Sequence, residues 1–272
     1  MQVLRDEIDL PLALQSLRAP RVFLAGGRRP CEDSAMGMIS ALTVAGGICA
    51  AGGMFSWGAV APSSQLFGST ICRTADRSTI ALTFDDGPNP SVTPALLTLL
   101  DRYNVKATFF LIGRWVHAVP ALALEIAARG HAIGNHTYTH PALTFRSRGT
   151  ISAELNQCDE AIQSATNTRP RWIRPPFGFR SPLLEGIVRK RTGAGVVMWS
   201  ALARDWKPQS PQPVIRRLRR VRGGDIVLLH DGDHRVLEAD RSHTVAALEY
   251  WLPRWSEAGI RTINLDELYS QT

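Results

Sequence analysis

From Thr79 to the end of the chain, short apolar runs alternate with longer stretches of helical spacing, and no other feature restricts the possible folds as tightly. Strand, helix, strand, repeated, requires a parallel sheet with helices packed against it. The first run, Ser78–Phe84, stops at the turn signal Asp85-Asp86-Gly87-Pro88. Apolar spacing predicts helices over Thr93–Tyr103, Ala121–Arg129, Ile151–Ala165, Pro213–Val221 and Thr244–Gly259, with Gly130 closing the second. Strands are expected at Ala107–Ile112, His131–Asn135, Trp172–Arg174, Gly193–Ser200, Asp225–Leu229 and Ile260–Asn264. Asp85, Asp86, His136, Arg174, Asp205 and His230 stand at or just beyond strand ends, the rim where β/α barrels carry their chemistry.

The residues before Thr79 follow another pattern. Residues 1–34 form a mixed N-terminal tail, and from Ala35 to Ala61 no charged residue occurs. That run is long enough to span a hydrocarbon core of about 30 Å. Arg18, Arg21, Arg28 and Arg29 precede it without an acid among them, so the positive-inside rule leaves the N-terminus in the cytoplasm and the rest outside. Two membrane readings stay open. An uncleaved signal anchor would tie an outward-facing protein to the membrane. A signal peptide cut near Ala59-Val60-Ala61 would give a secreted or periplasmic one. A start codon assigned too far upstream would also account for so long a leader, and a buried Gly/Ala helix is the non-membrane alternative. Residues 62–78 read as a linker and 79–272 as the domain that carries the chemistry.

Lys and Arg outnumber Asp and Glu 31 to 24, for a net charge of +7. The densest basic run, Arg216, Arg217, Arg219, Arg220 and Arg222, falls on an expected helix and reads as a solvated face. No zinc-finger, homeodomain or RNA-binding signature accompanies it, so no nucleic-acid partner is expected. Cys31, Cys49, Cys72 and Cys158 include no CxxC pair, which argues against a thiolate metal site; a Cys72–Cys158 bridge remains open if both meet an oxidising compartment. Phosphate-loop, dinucleotide and nucleophile-elbow sequences are absent.

Adjacent carboxylates at a strand end can point different ways, so one of Asp85 and Asp86 can bind a cation while the other works as a base; a solvated Asx turn is the bland alternative. His136 and His140 lie four apart, and on one face of a helical turn both imidazoles reach one ion. An Asp and two His leave positions open for water and substrate, as catalytic zinc and other divalent sites do. Arg174 can hold a carboxylate, His230 can protonate a leaving group, and Asp205 can orient that His and raise its pKa. Together these residues ask for hydrolysis of an unactivated acyl bond.

Thr83–Pro90 (TFDDGPNP), Gly130–His140 (GHAIGNHTYTH), Arg174–Gly178 (RPPFG), Arg204–Trp206 (RDW) and Ile226–Gly232 (IVLLHDG) resemble, in order, five motifs of the polysaccharide deacetylase family, carbohydrate esterase family 4. The resemblance runs from Thr79 to about Leu268. It implies a distorted (β/α) barrel with fewer than eight regular units, behind the N-terminal hydrophobic segment. It implies a divalent metal, usually zinc, on Asp86, His136 and His140. Asp85 would be the base, Arg174 its holder, His230 the acid and Asp205 the partner of His230. Phe177 would offer its backbone N–H to an oxyanion, and Trp206 and Leu228 would line the acetyl pocket and sugar groove. The implied reaction removes N-acetyl groups from N-acetylglucosamine-type units of an oligo- or polysaccharide. Phe177 departs from the Tyr of many relatives, and Leu202-Ala203 from an Asp they carry three residues after the equivalent of Trp199.

Three other functions compete. A glycoside hydrolase needs carboxyls about 5–9.5 Å apart across the scissile bond, which adjacent aspartates do not readily supply. A non-sugar amide deacylase would use the same residues, and a glycan-binding protein would need a degenerate site. Trp172 and Trp199 read as core, His131 as structural, and Asp231 and His234 as loop residues or substrate neighbours. His117 and His243 have no evident partner.

Overall fold

A computed structural model describes residues 50–191, 193 and 195–268. All of these belong to the larger of two compact units of the chain, Ala50–Thr272. The tail 1–34, most of the uncharged run 35–61, Cys31 and Cys49 lie outside the described residues. Among the described residues no helix is long and apolar enough to cross a membrane.

One parallel sheet holds β1 (Thr79–Gly87), β2 (Thr108–Leu111), β3 (Ala132–Asn135), β4 (Trp172–Ile173), β5 (Gly195–Val196), β6 (Ala201–Leu202), β7 (Ile226–His230) and β8 (Arg261–Ile263). The order is β5-β4-β3-β2-β1-β7-β6, with β8 beside the start of β1. The path is open, so the barrel is distorted and incomplete, as expected. Helix α1 occupies residues 50–60. Helices α2 (Thr93–Arg102), α3 (Gly113–Ala118), α4 (Pro120–Ala128), α5 (Arg148–Thr166), α6 (Leu184–Val188), α7 (Pro211–Leu218) and α8 (Ser242–Glu257) follow the strands. The short helices α3 and α6 and the two-residue β6 were not foreseen. The run expected as one strand over Gly193–Ser200 ends its ladder early, and Ala201–Leu202 pair separately with β7.

Side-chain alternation along β1 explains how the sheet carries both a core and a site. All nine of its residues are buried. Ile80, Leu82 and Phe84 face the helices and join the main apolar cluster, where Phe84 stacks on Phe109 with ring centroids 5.0 Å apart. Ala81, Thr83 and Asp85 face the other way. Ala81 packs with Phe110, Trp172, Val197 and Ile226 at the base of the interior. Thr83 Oγ1 donates to Val227 O at 2.7 Å and accepts from Arg174 at 2.8 Å. Asp85 reaches the carboxyl-end rim. One strand thus runs from apolar floor to functional rim in three side chains.

The stretch expected as a linker lies against the sheet. Ile71 bridges Val197 in parallel and Arg73 bridges Asp225 in antiparallel fashion. Arg180, 1% exposed, donates to Ser64 O (2.6 Å), Gly58 O (2.7 Å) and Ala61 O (2.7 Å). A buried guanidinium thereby gathers carbonyls from the C-terminal end of α1 and the turn that follows it. The open option of a Cys72–Cys158 bridge is not realised: both are free, and the buried Cys158 thiol donates to Leu111 O at 3.4 Å.

Candidate active site

β1 runs three residues past its expected end, and a bulge between Asp85 and Gly87 interrupts its register with β2. At the bulge Asp86 takes φ 71°, which turns its carboxylate away from that of Asp85. Asp85 pairs in register with His230 of β7, so the two side chains share a sheet face.

The segment His136–His140 is not the helical turn expected from the spacing. It is irregular, and Thr137 (φ 67°) and His140 (φ 63°) both lie in the left-handed region. Such backbone is unfavourable for a β-branched residue and persists when the surroundings impose it. Here Thr137 N–H donates to Asn135 Oδ1 and His140 N–H to Thr137 Oγ1. Glu154 holds the N–H groups of Tyr138 and Thr139. The folded loop brings both imidazoles to one carboxylate: Asp86 Oδ1 is 3.5 Å from His136 Nε2 and 3.1 Å from His140 Nε2.

The three buried donors lie within 4.8 Å of one another. Asp86 Oδ1 and His140 Nδ1 have no hydrogen-bond partner although buried. His136 Nδ1–H donates to Arg174 O at 2.8 Å, which fixes the tautomer and leaves Nε2 as a ligand, the usual support for a metal-binding His. Two imidazole nitrogens and a carboxylate, buried with donor atoms unsatisfied, fit a divalent cation of the zinc type. Burial alone would raise the Asp86 carboxyl, but the adjacent imidazoles of His136 and His140 hold it well below the usual carboxylate range. Burial pulls both His residues down. Asp85 and Asp86 overcome this at His136, which is raised, whereas His140 stays lowered.

Behind this set sits Arg174, with no exposed surface. It donates to Asp85 Oδ1 (2.8 Å), Thr83 Oγ1 (2.8 Å), Val197 O (3.2 Å) and Met198 O (3.0 Å), and lies 4.1 Å over the Phe110 ring. Asp85 Oδ2 is left on the cavity side, 3.7 Å from His136 Nε2.

Asp205 is equally buried. Its carboxylate accepts from His230 Nδ1 (2.8 Å), His230 N–H (2.9 Å) and Thr244 Oγ1 (2.8 Å), and its carbonyl accepts from His243 Nε2 (2.8 Å). Burial opposes charge on His230, but Asp205 first, then Asp86 and Asp85, hold its pKa up to about 9. With Nδ1 engaged, Nε2 is the nitrogen free to serve the cavity.

Asp85, Asp86, His136, His140, Phe177, Trp206, Leu228 and His230 line one cavity of about 600 Å³. Arg174 and Asp205 support it from behind. Phe177 sits in a 3-10 turn, Pro176–Gly178, at φ 59°, its ring edge-on to His140 with centroids 4.6 Å apart. Gly178 follows because a Cβ there would meet the Trp199 ring at 2.4 Å. Trp172 is core, but Trp199 lines the cavity, contrary to its core reading. Leu202, one of the departures from the family pattern, lines the cavity, and so do Lys207, Asp233 and Arg235, which the motifs did not indicate. His234 lines the cavity and stacks on His140 at 4.5 Å, which places it beside the donor set. Asp231 lies buried outside the cavity, accepting from Thr93 Oγ1, with burial pushing its carboxyl up to about 7. His131 is structural, its Nδ1 accepting from Ala107 N–H, and His117 is exposed. His243 and Thr244 could have been suspected only from their place at the start of α8.

A buried Asp-His-His donor set at the carboxyl end of parallel strands, beside an arginine-held carboxylate and an aspartate-held histidine, defines a metal-dependent hydrolase of carbon–nitrogen bonds. Residues 73–193 match the family model described as polysaccharide deacetylase. The chitooligosaccharide deacetylase of Azorhizobium caulinodans is 36% identical over 203 residues, covering 72% of this chain and 96% of that one. The Listeria monocytogenes peptidoglycan-N-acetylglucosamine deacetylase PgdA is 35% identical over 71% of this chain, which spans 39% of that longer protein. Among solved structures, a carbohydrate esterase family 4 pseudoenzyme from Bacillus anthracis superposes with a TM-score of 0.66 at 32% identity, covering 74% of this chain and 68% of that one. The chain belongs to the polysaccharide deacetylase family.

Proposed function

We propose that the domain removes acetyl groups from N-acetylglucosamine-type units of an oligo- or polysaccharide, releasing acetate and a free amine. The observation that carries this is the register pairing of Asp85 with His230 beside the Asp86-His136-His140 set. Base, acid and cation donors share one face and one cavity. Because the family includes a protein described as a pseudoenzyme, membership alone does not establish turnover; the complete donor set and acid–base pair support it.

A divalent cation on Asp86, His136 and His140 would polarise the acetamide carbonyl and acidify water beside it. Asp85, steadied by Arg174, takes a proton from the attacking water through its cavity-side oxygen. The water oxygen bonds to the carbonyl carbon, and the backbone N–H of Phe177 receives the oxyanion. His230 Nε2 protonates the leaving nitrogen as the C–N bond breaks. Trp206 and Leu228 bound the acetyl and sugar positions. A glycoside hydrolase is disfavoured because Asp86 is committed to the His pair, Asp85 to Arg174 and Asp233, the third carboxylate of the cavity lining, to Arg241. The uncharged run, of which residues 50–61 belong to the domain's own compact unit, supports an outward-facing protein, membrane-anchored or, if the part ahead of that unit is removed, secreted or periplasmic.

Acetate release from N-acetylglucosamine oligomers and from peptidoglycan, with and without chelator and added zinc, tests this reading. Chelator-sensitive acetate is expected. Zinc binding without acetate from either substrate would move the assignment to a non-sugar amide. Neither zinc nor acetate would favour a glycan-binding protein.

A further inference from the structure

A second hollow, of about 990 Å³, adjoins the catalytic cavity, and Leu202 lines both. It runs beside β6, the last strand at one end of the sheet path. Arg204, Arg216, Arg217, Arg219, Arg220 and Arg222 line it. Its only carboxylate, Asp225, is already engaged by Arg73 (2.7 Å), Ser200 Oγ (2.8 Å) and the Arg222 N–H (2.9 Å). None of the six arginines forms a salt bridge among the described residues. Arg217 meets only neutral oxygens, Ala203 O and Gln209 Oε1, both at 3.4 Å.

Arg216, Arg219, Arg220 and Arg222 are exposed, as a solvated face requires, but that expectation does not account for their gathering with Arg204 about one hollow. Arg216 and Arg217 end α7, where positive charge favours the helix dipole. That does not extend to Arg204, which reaches the same hollow from the loop after β6, or to Arg222 beyond the helix. Like charges gathered on a concave wall repel one another and focus a positive potential. Guanidinium forks match carboxylate and phosphate oxygens in pairs. Exposed Lys207 and Arg235 continue the positive lining into the catalytic cavity.

We propose that the hollow is a substrate subsite for oxyanion groups, carboxylate or phosphate, on the same glycan chain whose acetamide occupies the catalytic cavity, so that the enzyme selects acidic N-acetylated glycans over neutral ones. This rests on the deacetylase reading above. The test measures binding of three labelled strands to the full chain: a neutral N-acetylglucosamine oligomer, an N-acetylated strand with lactyl carboxylates on alternate sugars, and an N-acetylhexosamine polymer joined by phosphodiesters. The comparison protein combines Arg216→Gln, Arg219→Gln and Arg220→Gln, all at exposed positions. Binding of at least one acidic strand should weaken about tenfold in the variant while the neutral oligomer is unaffected, and the strand that responds names the oxyanion. Should the variant not fold, the wild-type protein still decides: its affinity for that strand must fall with rising ionic strength while its affinity for the neutral oligomer does not. Equal affinity for acidic and neutral strands, or acidic binding untouched by variant and salt, overturns the subsite. Acetate release is scored separately. Arginine-dependent binding with no acetate from any strand would sink the deacetylase reading and keep the subsite. Equal acetate from all strands, by both proteins and with equal affinities, would do the reverse.

Discussion

On the His230 side of the cavity, folding alone fills the Asp205 carboxylate, which receives the His230 ring, the His230 N–H and the Thr244 hydroxyl. On the Asp86 side, Asp86 Oδ1 and His140 Nδ1 are buried without partners, and the donors converge through left-handed backbone at Asp86, Thr137 and His140. Unsatisfied buried polar atoms are costly. The contrast supports the proposed division of labour: the chain by itself completes the Asp205–His230 pair, whereas the Asp86 side is a donor set fitted to a cation. Each variant below should therefore disturb one side and spare the other.

The largest effects belong to the cation side. Asp86→Ala and His136→Ala should lose bound zinc and acetate release together, read by metal content per chain and by turnover. Asp85→Asn should keep the zinc, because Asp85 is held by Arg174 and is not one of the three converging donors. Its turnover should fall ~10²–10⁴-fold, the range for loss of a general base. Loss of zinc from Asp85→Asn would erase the distinction between base and ligand.

Asp205→Asn should leave zinc binding intact and damage the acid. Below about 9 the cation-free His230 carries its proton, and the competent fraction falls as pH rises through that value. A cation at Asp86 offsets one of the charges holding the proton, so the zinc enzyme should lose activity at a lower pH than this. Removing Asp205 lets burial prevail, and the alkaline limb of the kcat profile should move further to acid. Turnover at neutral pH should fall about 10- to 100-fold. An unmoved alkaline limb would show that Asp205 does not retain the proton.

The cation side has its own pH dependence, of smaller size. In the cation-free protein His136 is raised above its ordinary value, and its Nδ1–H is committed to Arg174 O. A second proton, when bound, therefore sits on the nitrogen that must ligate. Zinc affinity should weaken as pH falls through this raised value, about tenfold per unit, with proton release on binding. Titration calorimetry in buffers of different ionisation enthalpy measures both. Affinity independent of pH would remove the competition.

Much of this was legible in the sequence because the barrel is periodic and its motifs sit at strand ends. The helix limits of α2 and α4 fell within a residue or so of their apolar spacing. The lines of the cavity came from TFDDGPNP, GHAIGNHTYTH, RPPFG, RDW and IVLLHDG, which place residue types and not backbone. For that reason the His136–His140 turn was misread. Spacing suggests a helix, whereas bonds from Asn135, Thr137 and Glu154 impose another path. Trp199 was assigned to the core because size and apolarity do not say whether a ring faces a void. The packing of residues 71–73 along the sheet was hidden because bridges of single residues leave no periodic trace.

The finest test of the comparison is Thr244→Val. The Thr244 hydroxyl donates to Asp205 Oδ2, which also accepts the His230 N–H. Val keeps the volume and removes only that donor. The carboxylate retains the ring and backbone bonds of His230, so the stability loss should be about 1 kcal/mol, read from denaturant unfolding. With one stabilising bond gone, Asp205 should hold the His230 proton slightly differently. A small shift in the alkaline limb is expected, without change in zinc content. A purely structural Thr244 would lower stability and leave the limb in place, confining the acid-side network to Asp205 and His230. A loss of zinc would instead couple the two sides, and the division between a side the chain completes and a side a cation completes would fail.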